Sequence, residues 1–249
     1  MSNMIPKCFV INMPASQQRR EMMEPQLQKL GFDYEFFAAT DGRHLSEKEM
    51  QKCQPDDRVT LNLRGGFKVF LEGKVTAKEI GCALSHLRLY QHIVDLGLDR
   101  ALVFEDDLHI HPDMVMALEN LDCITEPWDV VNFSFHMGVH DLPWARKYYF
   151  GPSKDYYFKQ IGMQNVYLDI WRNRCRMVGC TAMYVITKHA CERLLEIGYP
   201  VRMPSDYLLG LLCYNELRMF RAYPIKHYTS FSAAESTIDD RLSHRLVRR

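Results

Sequence analysis

The chain has 249 residues and sets 31 Lys+Arg against 31 Asp+Glu, with 47% hydrophobic residues, 13 Gly and 11 Pro. This is the composition of an ordinary globular protein, and zero net charge excludes a general electrostatic affinity for nucleic acid, since no surplus of cations exists to displace counterions from phosphates. No apolar stretch approaches the roughly 18 residues that span a bilayer, and the opening fourteen residues lack a basic segment followed by a cleavable apolar one. A cytoplasmic chain is the expectation.

The run Cys8-Phe9-Val10-Ile11-Asn12-Met13 has the length and β-branched content of a buried strand, ended by Pro14. Ser16 is placed to cap a following helix that carries Arg19 and Arg20 and stops at Gly31, with Pro25 predicting a kink or a late start. Tyr34 to Ala39 reads as a second strand, so the opening is a βαβ unit. Residues 41 to 75 carry only weak signals: a turn at Asp41-Gly42, a short helix from Ser46 to Met50 and a flexible or hairpin segment at Arg64 to Phe67. Thr76-Ala77-Lys78-Glu79 is a capping box, and apolar residues at three- and four-residue spacing continue a long helix from Ile80 to Val94, ended by Gly97.

Ala101-Leu102-Val103-Phe104 predicts a central strand, with Glu105-Asp106-Asp107 gathered at its carboxyl end. Asp129 to Ser134 and Ala182 to Ile186 predict further strands, the second leading into a helix from Thr187 to Ile197. Trp144 to Trp171 is aromatic and reads as an irregular, substrate-facing loop. Another helix is expected near Ser205, and Met219 to Tyr223 as a last strand. The whole of 1–249 reads as one α/β domain, with no repeat or linker. The eight cysteines are scattered without a Cys-x-x-Cys pair, which predicts reduced, buried thiols rather than disulfides or a zinc site.

Three adjacent carboxylates after a buried strand resist joint ionisation unless a cation or donors neutralise them. Oxygen ligands in that position suit Mg²⁺ or Mn²⁺ and a substrate phosphate, and α/β sheets place their ligand crevice beyond strand carboxyl ends. The plain alternative is a solvated acidic turn capping the helix after Pro112. Arg19 and Arg20 lie at a helix opening that favours anions, or else pair with Glu21 and Glu24. Glu79 is explained as the capping acid, and His86, seven residues on, shares its helix face. Asp206 stands where a loop becomes a helix, as a dipole-favoured acid or as a general base; His227 is a candidate late metal ligand. His109 and His111 are weak signals. The basic run Arg241 to Arg249, with Leu242, Leu246 and Val247 interleaved, reads as a lipid-touching or disordered tail.

These segments together resemble glycosyltransferase family 25, the lipopolysaccharide and lipooligosaccharide biosynthesis enzymes. The resemblance rests on Phe9 to Met13 with Arg19-Arg20 and Phe37 to Gly42, on Glu79 to His86 followed by Leu102 to Asp107, and on Tyr184 to Thr187 with Leu194-Leu195 and Pro204-Ser205-Asp206. It implies a GT-A type nucleotide-diphospho-sugar transferase, with residues 1–135 mainly the donor half and 136–249 mainly the acceptor half. Glu105-Asp106-Asp107 then occupies the place of an Asp-x-Asp metal motif, departing from it by Glu at the first position. The implied activity is transfer of galactose from UDP-galactose, with inversion and a β-1,4 linkage favoured, onto glucose or N-acetylglucosamine of a glycolipid core. The resemblance implies Mn²⁺ or Mg²⁺ on Glu105 and Asp107, with His227 as a further candidate. Asn12, Arg19, Arg20, Ser85, His86 and Asp106 would line the donor site, with Asp206 as first choice of base and Glu79 as second. Two alternatives stand beside it. A sugar-nucleotide pyrophosphorylase needs a Gly-rich phosphate loop that Pro14-Ala15-Ser16-Gln17 does not provide, and a catalytically inactive glycan- or donor-binding relative would differ only in lacking turnover.

Overall fold

Residues 5–63, 66, 68–134, 148–150, 156–161, 180–224, 228–231 and 245–246 are described in the computed structural model of the chain. The unbroken apolar run near the start forms β1 (Cys8–Asn12), buried along its whole length because both of its faces are covered. Helix α1 (Gln17–Lys29) then carries the chain across to β2 (Tyr34–Ala38), which pairs parallel to β1. Ser16 occupies the N-cap position but caps through its backbone carbonyl to Arg20 N at 3.2 Å, not through its hydroxyl. Pro25 neither delays nor ends α1, which runs from Gln17 through it to Lys29. At the helix end Gly31 has φ +72°, and Phe32 N and Gly31 N return to Leu27 O and Gln28 O, a Schellman closure that supplies two orphan carbonyls.

The segment with weak signals holds α2 (Glu47–Met50) and a hairpin of β3 (Arg58–Asn62) and β4 (Lys68–Glu72). The capping box at Thr76 forms as the spacing predicts and opens α3 (Ala77–Asp95). β5 (Arg100–Glu105) returns beside β1, followed by β6 (Leu108–Ile110), α4 (Asp113–Glu119) and β7 (Val130–Asn132). In the aromatic stretch the expectation of an irregular loop is corrected: β8 (Tyr148–Phe150) and β9 (Tyr157–Ile161) form an antiparallel pair at the sheet edge. Both strands are too short for alternation to stand out among so many aromatic residues. β10 (Met183–Thr187) leads into α5 (Lys188–Gly198), followed by α6 (Ser205–Gly210), α7 (Leu212–Asn215) and β11 (Met219–Tyr223). β11 is not the last strand. β12 (Thr229–Phe231) pairs with β6, and part of the basic tail, expected as lipid-touching or disordered, forms β13 (Arg245–Leu246) against β4.

Among the described residues the central sheet has eight strands in the order β2-β1-β5-β10-β7-β11-β9-β8. β2, β1 and β5 are parallel, β10 runs antiparallel to both β5 and β7, and β11 is parallel to β7. Alternate residues of each strand face opposite sides. Phe9, Val103, Tyr184 and Met219 join α3, α5 and α6 in one apolar cluster, while Val10, Leu102, Val185 and Phe220 join α1 and α4 in the other. The result is a mixed α/β sheet covered by helices on both faces, a GT-A-like architecture. From β1 the chain leaves for β2 on one side, and β5 lies on the other, so the crevice beyond β1 and β5 is a topological switch point.

Candidate active site

The three acids fall in that crevice, and each has a different environment. Asp106 is 6% exposed, and its carboxylate accepts from Asn12 Nδ2 at 2.7 Å and from Arg19 Nη1 at 2.8 Å. Asn12 ends β1, so the register of β1 on β5 brings it beside Asp106, and α1 delivers Arg19 two residues into its first turn. Arg19 Nη1 also stands 3.6 Å from Asp107 Oδ2, while the other oxygen, Oδ1, is buried without a hydrogen bond. Burial, with the charge of Glu105 next, pushes the Asp107 carboxyl up to about 6. The turn that holds it is pinned from below: the Gln26 amide of α1 donates to Leu108 O at 3.1 Å and accepts from Ile110 N at 2.9 Å.

Glu105 turns the other way, toward α3 and α6. Its Oε1 accepts from the Thr181 hydroxyl at 2.7 Å and lies 3.5 Å from His86 Nε2. Burial works against its charge, but His86 and Thr181 outweigh that, and its pKa falls below the usual value. Thr181 also faces Asp206, whose Oδ1 accepts from the Thr181 N–H at 2.8 Å and lies 3.0 Å from the hydroxyl. One hydroxyl proton therefore stands between two carboxylates. Burial and the neighbouring Glu105 raise the Asp206 pKa, opposite in direction to the shift on Glu105. Behind them His86 Nδ1 meets the Tyr184 hydroxyl at 2.7 Å, and Tyr184 meets Tyr90 at 2.8 Å. Cys82 Sγ is 3.2 Å from Ser205 Oγ.

The structure thus brings Asn12, Arg19, Glu105, Asp106, Asp107, His86 and Asp206 into one connected cluster. It places the other predicted residues elsewhere. Arg20 stacks on the Phe36 ring with its guanidinium carbon 4.4 Å from the centroid. Ser85 bridges Thr40 N and Gly81 O, at 2.8 and 2.7 Å, and so holds α3 to the loop after β2. Glu79 is 4% exposed and receives the Thr76 N–H at 2.7 Å as the capping acid. His227 lies outside the described residues. Thr181, Cys82 and Tyr184 have no site role in the sequence-based expectations. Cys82 and His86 carry the one available signal, an i, i+4 pair on a predicted helix; Thr181 has none, because its importance lies in contacts 76 and 25 residues away.

For a divalent cation the acids offer a fitting donor set: hard oxygens, one of them buried and unsatisfied on Asp107. The arrangement suits neutralising a diphosphate beside Arg19 and moving a proton at Asp206.

Comparison with known proteins gives the same direction. The family model described as glycosyltransferase family 25 (LPS biosynthesis protein) matches residues 5–209. A protein of Haemophilus influenzae with the name "Putative glycosyltransferase" is 23% identical over 225 residues, which is 90% of this chain and 68% of that protein. A glycosyltransferase 25 family member of Aedes aegypti is 34% identical over 104 residues, 42% of this chain and 16% of the relative. An inactive glycosyltransferase 25 family member 3 of Mus musculus is 30% identical over 128 residues, 49% of this chain and 21% of the relative. The matched segment therefore spans only a small part of the animal relatives.

Proposed function

The chain belongs to glycosyltransferase family 25, and from that premise we propose that it transfers a sugar from a nucleoside-diphosphate donor to an acceptor hydroxyl. The donor we propose is UDP-galactose, and the acceptor is a glucose or N-acetylglucosamine of a bacterial lipooligosaccharide core, reached by a cytoplasmic chain peripheral to the inner face of a membrane. The observation that carries the reading is the Asp107 oxygen left buried and unsatisfied in a crevice that also holds Arg19.

Asp107 would hold Mn²⁺ or Mg²⁺, and Glu105 would join it by leaving Thr181; the cation would supply a Lewis acid for the charge that develops on the departing UDP. Arg19 adds a fixed cation beside that charge, positioned through its bond to Asp106. Asn12 fixes the far side of the Asp106 carboxylate and so the pitch of the acidic turn. Asp206, held through one oxygen by Thr181, offers the other to the acceptor hydroxyl and takes its proton as the sugar's anomeric carbon is attacked from the face opposite UDP. A raised pKa suits that task, because a stronger base removes the proton more readily.

Calorimetric binding of UDP and UDP-galactose, with and without Mn²⁺, to the wild type and to Asp107→Asn tests the donor site. The reading expects cation-dependent binding that the variant loses. Failure of the wild type to bind any nucleotide sugar would overturn it.

A further inference from the structure

Cys82 and His86 stand one turn apart on α3, on the side that looks at the carboxyl end of β5. Cys82 Sγ, a ring nitrogen of His86 and a carboxylate oxygen of Glu105 all lie within 4.8 Å of one another. Tyr184 engages His86 Nδ1 at 2.7 Å and is itself met by Tyr90, so the ring is fixed from behind. The other nitrogen, Nε2, is buried without a hydrogen bond, 3.5 Å from Glu105 Oε1, in a side chain that is 1% exposed. Buried imidazole nitrogens are ordinarily satisfied by a hydrogen bond, and this one has only the Glu105 carboxylate at ion-pair distance.

We propose that Cys82, His86 and Glu105 form a site for a borderline-soft divalent cation of the Zn²⁺ class, which competes with the oxygen position at Asp107 for Glu105. Sulfur, imidazole and carboxylate are the donors that Zn²⁺ takes together, whereas Mg²⁺ and Mn²⁺ favour oxygen alone. Bond lengths in a tetrahedral zinc site put neighbouring ligand atoms about 3.3–3.8 Å apart. His86 and Glu105 already meet that spacing at 3.5 Å. Cys82 would complete the set by turning its side chain away from Ser205 Oγ, which it meets at 3.2 Å. A histidine whose second nitrogen is held by a hydroxyl is oriented as metal-binding histidines are. Cys82 and Glu105 are both partly exposed, which gives the cation a way in. At Cys82 this departs from the expectation of reduced, buried thiols rather than a zinc site. Resting on the transferase reading, one consequence follows: a cation at this site draws Glu105 away from the donor centre, so Zn²⁺ inhibits transfer.

Binding is tested without reference to transfer, by titrating the chelator-stripped full chain with Co²⁺ and recording the near-ultraviolet thiolate-to-cobalt charge-transfer band. The proposal expects one Co²⁺ per chain with that band, displaced by Zn²⁺, abolished in Cys82→Ser and shifted to at least 10-fold higher Co²⁺ concentration in His86→Gln. Glu105→Gln gives the same shift should His86→Gln fail to fold. Asp107→Asn keeps the band whatever becomes of its Mn²⁺-dependent UDP binding, which separates failure of this site from failure of the donor reading. Absence of the band in the wild type, or its survival in Cys82→Ser, overturns the proposal.

Discussion

Single side chains divide the work of the crevice, and the division is visible in what each carboxylate already holds. Asp106 has both oxygens engaged by Asn12 and Arg19, so it positions its neighbours, while Asp107 keeps an unsatisfied oxygen for a ligand. Asp206→Asn keeps the shape and the Thr181 contacts but removes the base. Turnover is expected to fall at least about 100-fold, with UDP-sugar affinity changed less than about 3-fold, as read by steady-state kinetics beside calorimetry. Parallel losses in both would make Asp206 a donor-site residue. Thr181 makes a sharper case, because its one hydroxyl serves Glu105 at 2.7 Å and Asp206 at 3.0 Å. Thr181→Val leaves Glu105 without that donor and Asp206 held by the backbone alone. Its turnover at saturating donor is expected to drop at least about 10-fold, and Thr181→Ser to recover to within about 3-fold, because the effect belongs to the hydroxyl. If serine fails to rescue, packing of the methyl group is the cause. The acids were legible in the sequence because three adjacent carboxylates after a buried strand demand an explanation. Thr181 was not, since a lone threonine between Cys180 and Ala182 shows nothing until β10 is laid beside β5.

At the scale of elements, the family-like segments around Asp41-Gly42 and Gly81 to His86 prove to be two sides of one contact. Gly42 and Gly81 let the loop after β2 and the helix α3 meet backbone to backbone. A Cβ on Gly81 would come within 2.5 Å of Gly42 N and 2.6 Å of Thr40 O, both backbone atoms that no side-chain rotation can clear. Ser85 then ties the same loop to the helix one turn further on. Gly81→Ala is therefore expected to destabilise the fold by about 1–3 kcal/mol despite the better helix propensity of alanine, measured by urea unfolding. An unchanged or raised midpoint would show that the loop moves aside freely. The opening turn of the same helix decides between two roles for Glu79, the capping acid that was also the second candidate base. Glutamine still accepts from the Thr76 N–H but cannot take a proton from substrate. Glu79→Gln should keep turnover within about 3-fold, while Glu79→Ala loses about 1 kcal/mol of stability with the cap. A collapse of turnover in Glu79→Gln at unchanged stability would return Glu79 to the mechanism.

The central sheet carries chemistry at one end of its strands and anchorage at the other. The βαβ opening, α3 and the apolar strands were legible because each is long or strongly periodic. The strand order was not, since β10 is inserted between β5 and β7 from far along the chain, and no local pattern records that neighbour. The strand ends opposite the acids are closed at Asp129, 2% exposed, where β7, β10 and β11 meet. Its carboxylate accepts from Arg218 N at 2.7 Å, from Nε at 2.9 Å and from Nη2 at 2.9 Å, and its carbonyl accepts from Thr187 N at 3.0 Å. Burial opposes the charge, but the Arg218 bonds prevail and hold the Asp129 carboxyl below the usual carboxylate range. A folded-state pKa lying below the unfolded value of about 3.9 gives stability that is fully present above that value and is lost as the pH falls through the folded one. Since the Arg218 side chain is 44% exposed, the expected worth near neutrality is discounted to about 1–3 kcal/mol. Urea midpoints of the wild type and Asp129→Asn should therefore differ by a constant amount from pH 7 to about 5 and converge below about 4. A gap that stays constant through the acid range would mean that the carboxylate charge contributes nothing and that the neutral hydrogen bonds alone close this end of the sheet.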